Sequence, residues 1–474
     1  MVERIVSSSL AAAVAAILAG CAVGPDYREP AAAVPAQFEG AETARYTTQP
    51  GDLARFWTVF NDATLTRLVG DSLAANHDLR IALSRLNEAR ALRGAARLDL
   101  GPTITAGAGY TDQRVTTAQA AGGPRDIDSY YNAGFDAVWE LDFFGRNRRA
   151  LEASNADLQA ALATLEDAQV SVAAELSRSY FELRGNQQRL VVARRNVENQ
   201  SESLDLTRAR LEAGTGTEFD TARATAQLAA TRGSIAPLEA AVARSIHGIS
   251  VLTGREPNAL RADLEQPVDL PAVPEMIAVG DPAQLLRQRP DIRVSERQLA
   301  ASTARIGVAV ADLFPRVTFI GSLGYAAGSV DALGERGTGT HLIAPGISWA
   351  AFDLGHVRAR IVAARAASEG ALASYEQTVL RALQETEDAL VTHARSRDQL
   401  VQLSLAADAS QTAARLARLR FENGAVDFLQ VLDAERSQLS AEDSLAQSRT
   451  DTATSLIAVY KALGGGWVAP GAGG

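Results

Sequence analysis

The chain repeats itself at a separation of about 210 residues. The pairs that show it at this offset are Trp139 and Trp349, Gly145 and Gly355, Gly214 and Gly424, and Gly254 and Gly464. Upstream the offset is 213, which relates Asp78 to Asp291, Arg80 to Arg293 and Pro102 to Pro315. A unit of this length is too long for a solenoid repeat. We therefore predict two copies of one structural half, residues 63–254 and 282–464, and a fold with internal pseudo-symmetry.

Residues 1–20 have the features of a secretion signal. Arg4 precedes an apolar stretch, residues 10–19, which is only about half the length that spans a bilayer. The following Leu18-Ala19-Gly20-Cys21 resembles the lipobox of bacterial lipoproteins, whose cysteine carries acyl chains such as palmitate and becomes the mature N-terminus. Cys21 is the single cysteine of the chain, so it forms no intrachain disulfide and no zinc site by itself. The alternative is a stray buried cysteine behind an ordinary signal. If Cys21 is lipidated, Ala22 in place of an aspartate resembles the bacterial sorting pattern for the outer membrane.

Composition favours helices and disfavours nucleic acid as a partner. The chain is 47% apolar but only 5% aromatic, and its formal net charge is −10. Alanine, leucine and valine supply most of the apolar surface, which is typical of helical and coiled-coil proteins. The acidic balance, without a basic stripe, does not fit a nucleic-acid-binding surface.

Two long helices with a coiled-coil seam dominate the predicted structure. Residues 146–213 contain no proline, and a leucine or valine recurs every seventh residue from Leu183 to Leu211. A return helix follows in each copy, at about 218–252, bent by Pro237, and at about 427–463. Leading helices are expected at about 63–99 and 282–312. A solvated rod without a lumen is the alternative interpretation of these helices.

Four segments between the leading and long helices switch to a period of two. We predict strands at about 103–115, 130–142, 316–326 and 341–352, joined by exposed loops, with Pro345 causing a bulge or a local gap in pairing. The second strand places aromatic and aliphatic residues on one face and Asn132, Asp136 and Glu140 on the other. This pattern fits a membrane strand that faces lipid on one side and a wet lumen on the other. A small soluble sheet is the alternative.

Four strands cannot close a barrel, and lipid does not tolerate an open edge. If the strands cross a membrane, the functional unit is therefore an oligomer. Known barrels begin at eight strands, so a dimer is the minimum and a trimer of twelve strands is the next choice.

Three motifs resemble those of the TolC-like outer membrane factors, in the lipoprotein (NodT-like) branch associated with tripartite efflux pumps. They are the segments Cys21-Ala22-Val23-Gly24-Pro25-Asp26-Tyr27, Trp139-Glu140-Leu141-Asp142-Phe143-Phe144-Gly145, and residues 424–434, which begin Gly424-Ala425-Val426-Asp427. The resemblance implies a mainly α fold with a membrane β-barrel: a homotrimer with a twelve-stranded barrel and a long α-helical barrel. It also implies an equatorial region drawn from about 40–62, 255–281 and the C-terminal tail at 465–474. Residues 21–62 thus contain the lipidated N-terminal segment and part of the equatorial region.

The same resemblance implies function and partners. The protein would be the passive exit duct for small molecules, anchored in outer membrane lipid. It would work with a periplasmic adaptor (membrane fusion protein) and an inner membrane transporter of the resistance-nodulation-division type. Hairpin tips at Gly214, Thr215, Gly216, Gly424, Ala425 and Val426 would meet the adaptor. Leu429 and Asp433 would form the periplasmic gate, while Gln430 and Val426 replace an acidic and a basic residue of some members. The alternative readings of Leu429 and Asp433 are hairpin core and a solvated carboxylate.

No catalytic constellation, cofactor motif or metal spacing stands out. The five histidines are scattered one to a segment, and Gly214-Thr215-Gly216 follows a helix rather than a strand, so it is not a phosphate loop. We therefore expect neither an enzyme nor a bound cofactor. The rival functions are a type I protein secretion channel and a periplasmic coiled-coil lipoprotein without a pore.

Overall fold

The computed structural model describes residues 22–31, 34–39, 46–47, 53–114 and 127–467. The predicted signal peptide, Cys21 and most of the tail at 465–474 lie outside the described residues. So does the centre of the loop predicted at 112–130.

The described residues form ten α-helices and six strands. The strands are β1 (Tyr46–Thr47), β2 (Thr103–Arg114), β3 (Ile127–Leu141), β4 (Ile277–Ala278), β5 (Arg316–Ala327) and β6 (Gly339–Ser348). The helices are α1 (Ala63–Ala75), α2 (His77–Leu98), α3 (Arg146–Glu212), α4 (Glu218–Gly233), α5 (Ile235–Leu252), α6 (Arg261–Leu264), α7 (Pro282–Gln288), α8 (Pro290–Ala311), α9 (Leu354–Glu422) and α10 (Phe428–Ala462).

The predicted strands form one antiparallel sheet in the order β2-β3-β5-β6. The register between β5 and β6 is unbroken through Pro345, which lies opposite Phe319. The predicted bulge or gap at Pro345 is therefore wrong. β6 is an edge strand of the described sheet, where a residue without an N–H donor is tolerated.

Duplicated tryptophans make the same hydrogen bond in both copies. The indole of Trp139 donates to the carbonyl of Leu100 at 2.9 Å, and that of Trp349 donates to the carbonyl of Leu313 at 3.0 Å. Each accepting carbonyl lies two residues before a proline that precedes a strand. The two copies therefore turn from helix into sheet by the same local geometry, even though β6 ends at Ser348 and not at residue 352 as predicted.

Each leading helix is broken in two, whereas the sequence predicted one unbroken helix. The breaks fall at Asn76 and Arg289, which the 213-residue offset relates to each other. The Asn76 side chain accepts a hydrogen bond from the backbone N–H of Asp78 at 2.8 Å and so caps the second segment. Arg289 adopts an extended ψ of 120° because Pro290 follows it. The two copies therefore agree even in where their leading helices are interrupted.

The return helix of the first copy is interrupted near Pro237, where the sequence predicted a bend. It divides at Ser234 into α4 and α5, near the carbonyl that the Pro237 nitrogen cannot bond. The second return helix, α10, has no proline and is continuous. The sequence therefore located this difference between the copies correctly.

The chain divides into two compact units that cut across the sequence copies. One contains residues 1–31, 85–162 and 294–376, and the other contains residues 32–84, 163–293 and 377–474. Each unit takes corresponding pieces from both copies. Within the second unit the predicted seam on α3 is buried at Leu183, Leu190 and Leu204, whereas its last member, Leu211, is 37% exposed.

Candidate functional site

The sheet has one apolar face and one face of polar and small residues. Directly opposite residues of antiparallel strands lie on the same face, so the register determines both sets. The apolar face carries Tyr110, Phe135, Trp139, Leu323 and Ile347, among others. The second face carries Thr105, Asn132, Asp136, Glu140, Ser322 and Gly346, with few large apolar side chains.

The three residues predicted to line a lumen all lie on this polar face. Asn132 is exposed and lies opposite Gly109, where a Cβ would approach the amide oxygen to 3.0 Å. Asp136 is exposed between Thr105 and Ser322. Glu140 is half-buried and lies 3.5 Å from Arg146 at the start of α3. Asp142, the next acidic residue in the alternation, lies just beyond the end of β3, where it accepts a hydrogen bond from the backbone N–H of Arg148 at 2.9 Å.

Both helix hairpins turn at glycines in the left-handed region. Gly214 has φ of +70° and Gly424 has φ of +72°. The backbone N–H of the residue after each glycine donates to a carbonyl five residues back, from Thr215 to Arg210 at 2.9 Å and from Ala425 to Arg420 at 2.8 Å. These are Schellman-type helix ends. Gly214, Thr215, Gly424 and Ala425 are exposed, and Gly216 and Val426 are half-buried.

Leu429 and Asp433 lie on the exposed side of the first turns of α10. Asp427 caps this helix by accepting from the backbone N–H of Gln430 at 3.3 Å. Leu429 is 48% exposed, and Asp433, four residues on, is exposed on the same face. Within the described part of the chain no ion pair involves Asp433. The opposite side of the same turns is buried, so the two predicted gate residues are not part of the hairpin core.

The equivalent positions in the first copy hold a residue pair that sequence reasoning missed. The 210-residue offset relates Leu429 to Phe219 and Asp433 to Arg223. The Arg223 guanidinium lies over the Phe219 ring at 4.7 Å, and Phe219 is 64% exposed. The offset itself is the signal that would have found them. The first hairpin therefore presents an aromatic and a cation where the second presents a leucine and an anion.

Apolar side chains of both copies form a small core beneath the two tips. Its buried members are Leu204, Ala224, Leu228, Phe421, Phe428, Val431 and Leu432. Burial of apolar surface of this kind stabilises by roughly 25 cal/mol per Å². The core joins α3, α4, α9 and α10, so it couples the first hairpin to the second.

Buried polar contacts also join the copies along α3 and α10. Arg195 bonds to Glu442, and the hydroxyl of Ser203 donates to Glu435 at 2.7 Å. Glu435 is 4% exposed and also accepts from Arg418 at 2.8 Å. Sequence reasoning missed these pairs, because they depend on how the two helices are rotated toward each other.

The segment after Cys21 is held by one buried arginine of α3. The Arg149 guanidinium donates to Asp26 at 2.7 Å and to the carbonyl of Val23 at 3.1 Å. Gly24 passes so close to Gly307 that an added Cβ would lie 2.5 Å from its Cα. Farther along, the Tyr27 hydroxyl donates to Glu296, and burial together with that carboxylate raises the pKa of Tyr27 above its ordinary value.

Among the described residues, no group of three or more histidine, cysteine, aspartate or glutamate side chains is arranged to hold a metal ion.

The two-faced sheet, the paired long helices and the glycine hairpins together define the class of TolC-like outer membrane channels. The family model described as outer membrane efflux protein matches the chain twice, at residues 68–255 and 282–465. The chain belongs to this family. It is an outer membrane efflux protein of the kind found in Gram-negative bacteria.

Individual relatives align with this chain over nearly its whole length. The probable efflux pump outer membrane protein TtgC of Pseudomonas putida is 32% identical over 466 residues, which cover 96% of this chain and 95% of TtgC. Nodulation protein T of Rhizobium leguminosarum biovar viciae is 32% identical over 475 residues, covering 98% and 95%.

Solved structures show the same fold. The outer-membrane channel OprN is 46% identical, with a TM-score of 0.89, over 94% of this chain and all of OprN. The CmeC outer membrane channel of Campylobacter jejuni, at 22% identity, has a TM-score of 0.88 over 94% of this chain and 95% of CmeC, and so shares the fold.

Proposed function

We propose that this protein is the passive outer membrane duct of a tripartite efflux system and that it works as a homotrimer. The observation that carries the proposal is the sheet, whose register gathers apolar residues on one face and Asn132, Asp136 and Glu140 on the other. Its outer strands, β2 and β6, are edges of the described sheet. Three copies would pair these edges and close twelve strands, leaving no open edge in lipid.

In this assembly the apolar face meets lipid and the polar face lines the lumen. A carboxylate would face lipid only at a large cost, whereas in a wet lumen it remains hydrated. Asn132, Asp136 and Glu140 then line the barrel interior. Cys21 would carry the acyl chains, and each buried methylene would contribute about 0.8 kcal/mol of anchoring.

The periplasmic end is assigned to the two hairpins. Leu429 would form an apolar ring that excludes water, and three copies of Asp433 would attract cations and repel one another across the axis. The exposed turns at Gly214, Thr215, Gly216, Gly424, Ala425 and Val426 would meet the adaptor. An inner membrane transporter, of the resistance-nodulation-division type in this proposal, would supply the energy, because the proposed duct is passive.

Family membership favours efflux over the two rival functions. A non-channel coiled-coil lipoprotein has no use for a polar sheet face opposite an apolar one. A type I secretion channel would share the architecture and differ in its inner membrane partner, so the genes next to the coding locus would separate the two.

The proposal predicts trimers that conduct ions. Purified, lipid-anchored protein should have the native mass of three chains and give discrete single-channel currents in planar bilayers. The control is Cys21→Ala, which removes the proposed lipid anchor and leaves the strands intact. A detergent-stable monomer without conductance would contradict the proposed duct.

A further inference from the structure

The last turns of the two long helices carry the same pair of arginines. Arg208 and Arg210 lie near the end of α3, and Arg418 and Arg420 lie 210 residues later near the end of α9. In both helices the glycine turn follows the second arginine by four residues. The two ends are therefore equivalent in sequence and in backbone geometry.

Two of the four arginines join the copies within the protomer. Arg210 donates to the carbonyls of Phe421 and Glu422, at 2.5 and 3.2 Å, and so caps the end of α9. Arg418 donates back to Glu202 at 3.0 Å and to the carbonyl of Asn199 at 3.1 Å. Near the hairpin tips, therefore, each copy supplies an arginine that bonds to the other copy.

The other two arginines are exposed. The side chain of Arg208 is 56% exposed, with its nearest carboxylate, Asp205, at 3.6 Å. Arg420 is exposed, and within the described residues its side chain makes no hydrogen bond or ion pair.

The residues that carry the acceptors equivalent to those of Arg210 are also exposed. They are the carbonyls of Leu211 and Glu212 at the end of α3. Leu211 is 37% exposed, whereas its counterpart Phe421 is 6% exposed. The Leu211 carbonyl accepts from the N–H of Gly214 at 3.0 Å, and the Phe421 carbonyl accepts from the N–H of Gly424 at 2.9 Å. The backbone is therefore alike at the ends of α3 and α9.

We propose that Arg420 caps the long helix of a second copy of this chain, by donating to the carbonyls of the partner's Leu211 and the partner's Glu212. The inference rests on the proposed trimer. Within a protomer, the first sequence repeat contacts the second. Three protomers close into a ring only if the second repeat of each protomer also contacts the first repeat of the next. Arg420 and Leu211 are the exposed halves of that second contact.

The proposed seam between protomers lacks the carboxylates that pair with arginines in the seam within a protomer. Arg418 reaches Glu202 and Glu435, but the offset places Thr412 and Thr225 at the equivalents of these acids. The pair Arg195 and Glu442 likewise has Leu405 and Arg232 at its equivalent positions. Backbone carbonyls are present whatever the side chain, so Arg420 has the same kind of acceptors as its equivalent, Arg210. Arg208, the equivalent of Arg418, would have threonines at the positions of the two carboxylates.

Exposed apolar residues on α9 fit the same interface. Val401, Leu405, Leu416 and Leu419 are 54%, 61%, 45% and 50% exposed. A partner helix would cover this face without buried ion pairs. Arg420 is then the principal charged contact near the tip of the seam between protomers. This seam therefore depends on Arg420 more than the seam within a protomer depends on Arg210.

Thiol crosslinking tests the contact. Arg420→Cys combined with Glu212→Cys in the full-length protein, treated with a short bis-maleimide, should give covalent dimers and trimers on denaturing gels. The matched pair, Arg210→Cys with Glu422→Cys, should crosslink within one chain and stay at monomer mass. Each single cysteine variant controls for reaction at Cys21.

Native mass measured on the same samples separates the two proposals. A trimer in which the 212/420 pair gives no intermolecular product would overturn the Arg420 contact and leave the duct intact. A monomer would overturn both. Independently, Arg420→Ala should lower the temperature at which the trimer dissociates, and Arg365→Ala, at another exposed arginine on α9, should leave it unchanged; equal effects of the two would also overturn the proposal.

Discussion

At the scale of single residues, exposure separates the predicted gate from the hairpin core. Leu429 and Asp433 lie on the open side of α10, while Phe428, Val431 and Leu432 fill the core behind them. Changes at the exposed pair should therefore alter what passes the entrance and leave the fold intact.

Asp433→Ala should raise single-channel conductance and uptake of a large antibiotic several-fold, because it removes a ring of three charges that binds cations at the aperture. Asp433→Glu keeps the charge and should behave as the wild type. Asp451→Ala, at an exposed aspartate on the same helix, is the control. Unchanged conductance and uptake in Asp433→Ala would place the side chain on the outer wall.

A second prediction concerns Asp167 on α3. Burial and the charge of Asp291 raise the pKa of Asp167 above its usual 3.8, against the opposing effect of Arg289 and Lys461. Because the folded-state pKa exceeds the unfolded value, the native state is penalised when this carboxyl is charged, and the penalty disappears as pH falls through the raised pKa toward 3.8. Asp167→Asn should therefore raise the unfolding temperature at pH 7.5.

The gain from Asp167→Asn should shrink toward zero near pH 4, as followed by circular dichroism across a pH series. Asp205→Asn, at an exposed position of the same helix, should show no such pH-dependent gain. A lower unfolding temperature for Asp167→Asn at pH 7.5 would contradict the assignment.

At the scale of elements, turns and caps govern where the long helices stop. Gly424 has open space around the position of a Cβ, so only its backbone angle opposes a side chain. Gly370, also without neighbours within 4 Å, lies in the interior of α9, the helix that ends just before Gly424. The same substitution should therefore have opposite effects on stability at the two sites.

Gly424→Ala should destabilise the turn by about 1 kcal/mol, because a left-handed backbone is costly for residues with a Cβ. It should speed exchange of the Ala425 amide hydrogen, which bonds to Arg420. Gly370→Ala should stabilise by about 0.5–1 kcal/mol, and Gly424→Asn should cost less than Gly424→Ala. Equal amide exchange in Gly424→Ala and wild type would show that the left-handed turn is not required there.

At the scale of the whole molecule, periodicity predicted most elements but not their contacts. The positions of both long helices, all four strands of the sheet and the helix interruption before Pro237 follow from period, glycine and proline alone. The break at Asn76 did not, because it depends on a capping side chain. The break at Arg289 was missed although Pro290, which causes it, is visible in the sequence. The partners of Arg149, Arg210 and Arg418 also depend on the rotation of helices that lie far apart in sequence.

The contacts between the two sequence copies also bear on the order in which the chain folds. Arg195 bonds to Glu442, 247 residues later, and Ser203 bonds to Glu435, 232 residues later. Contacts this distant carry a large loop-closure entropy and form slowly. The middle of α3 therefore lacks these contacts until the last forty or so residues have crossed the inner membrane. A chain that stalls before α10 is exported would leave this surface of α3 unpacked and prone to aggregation.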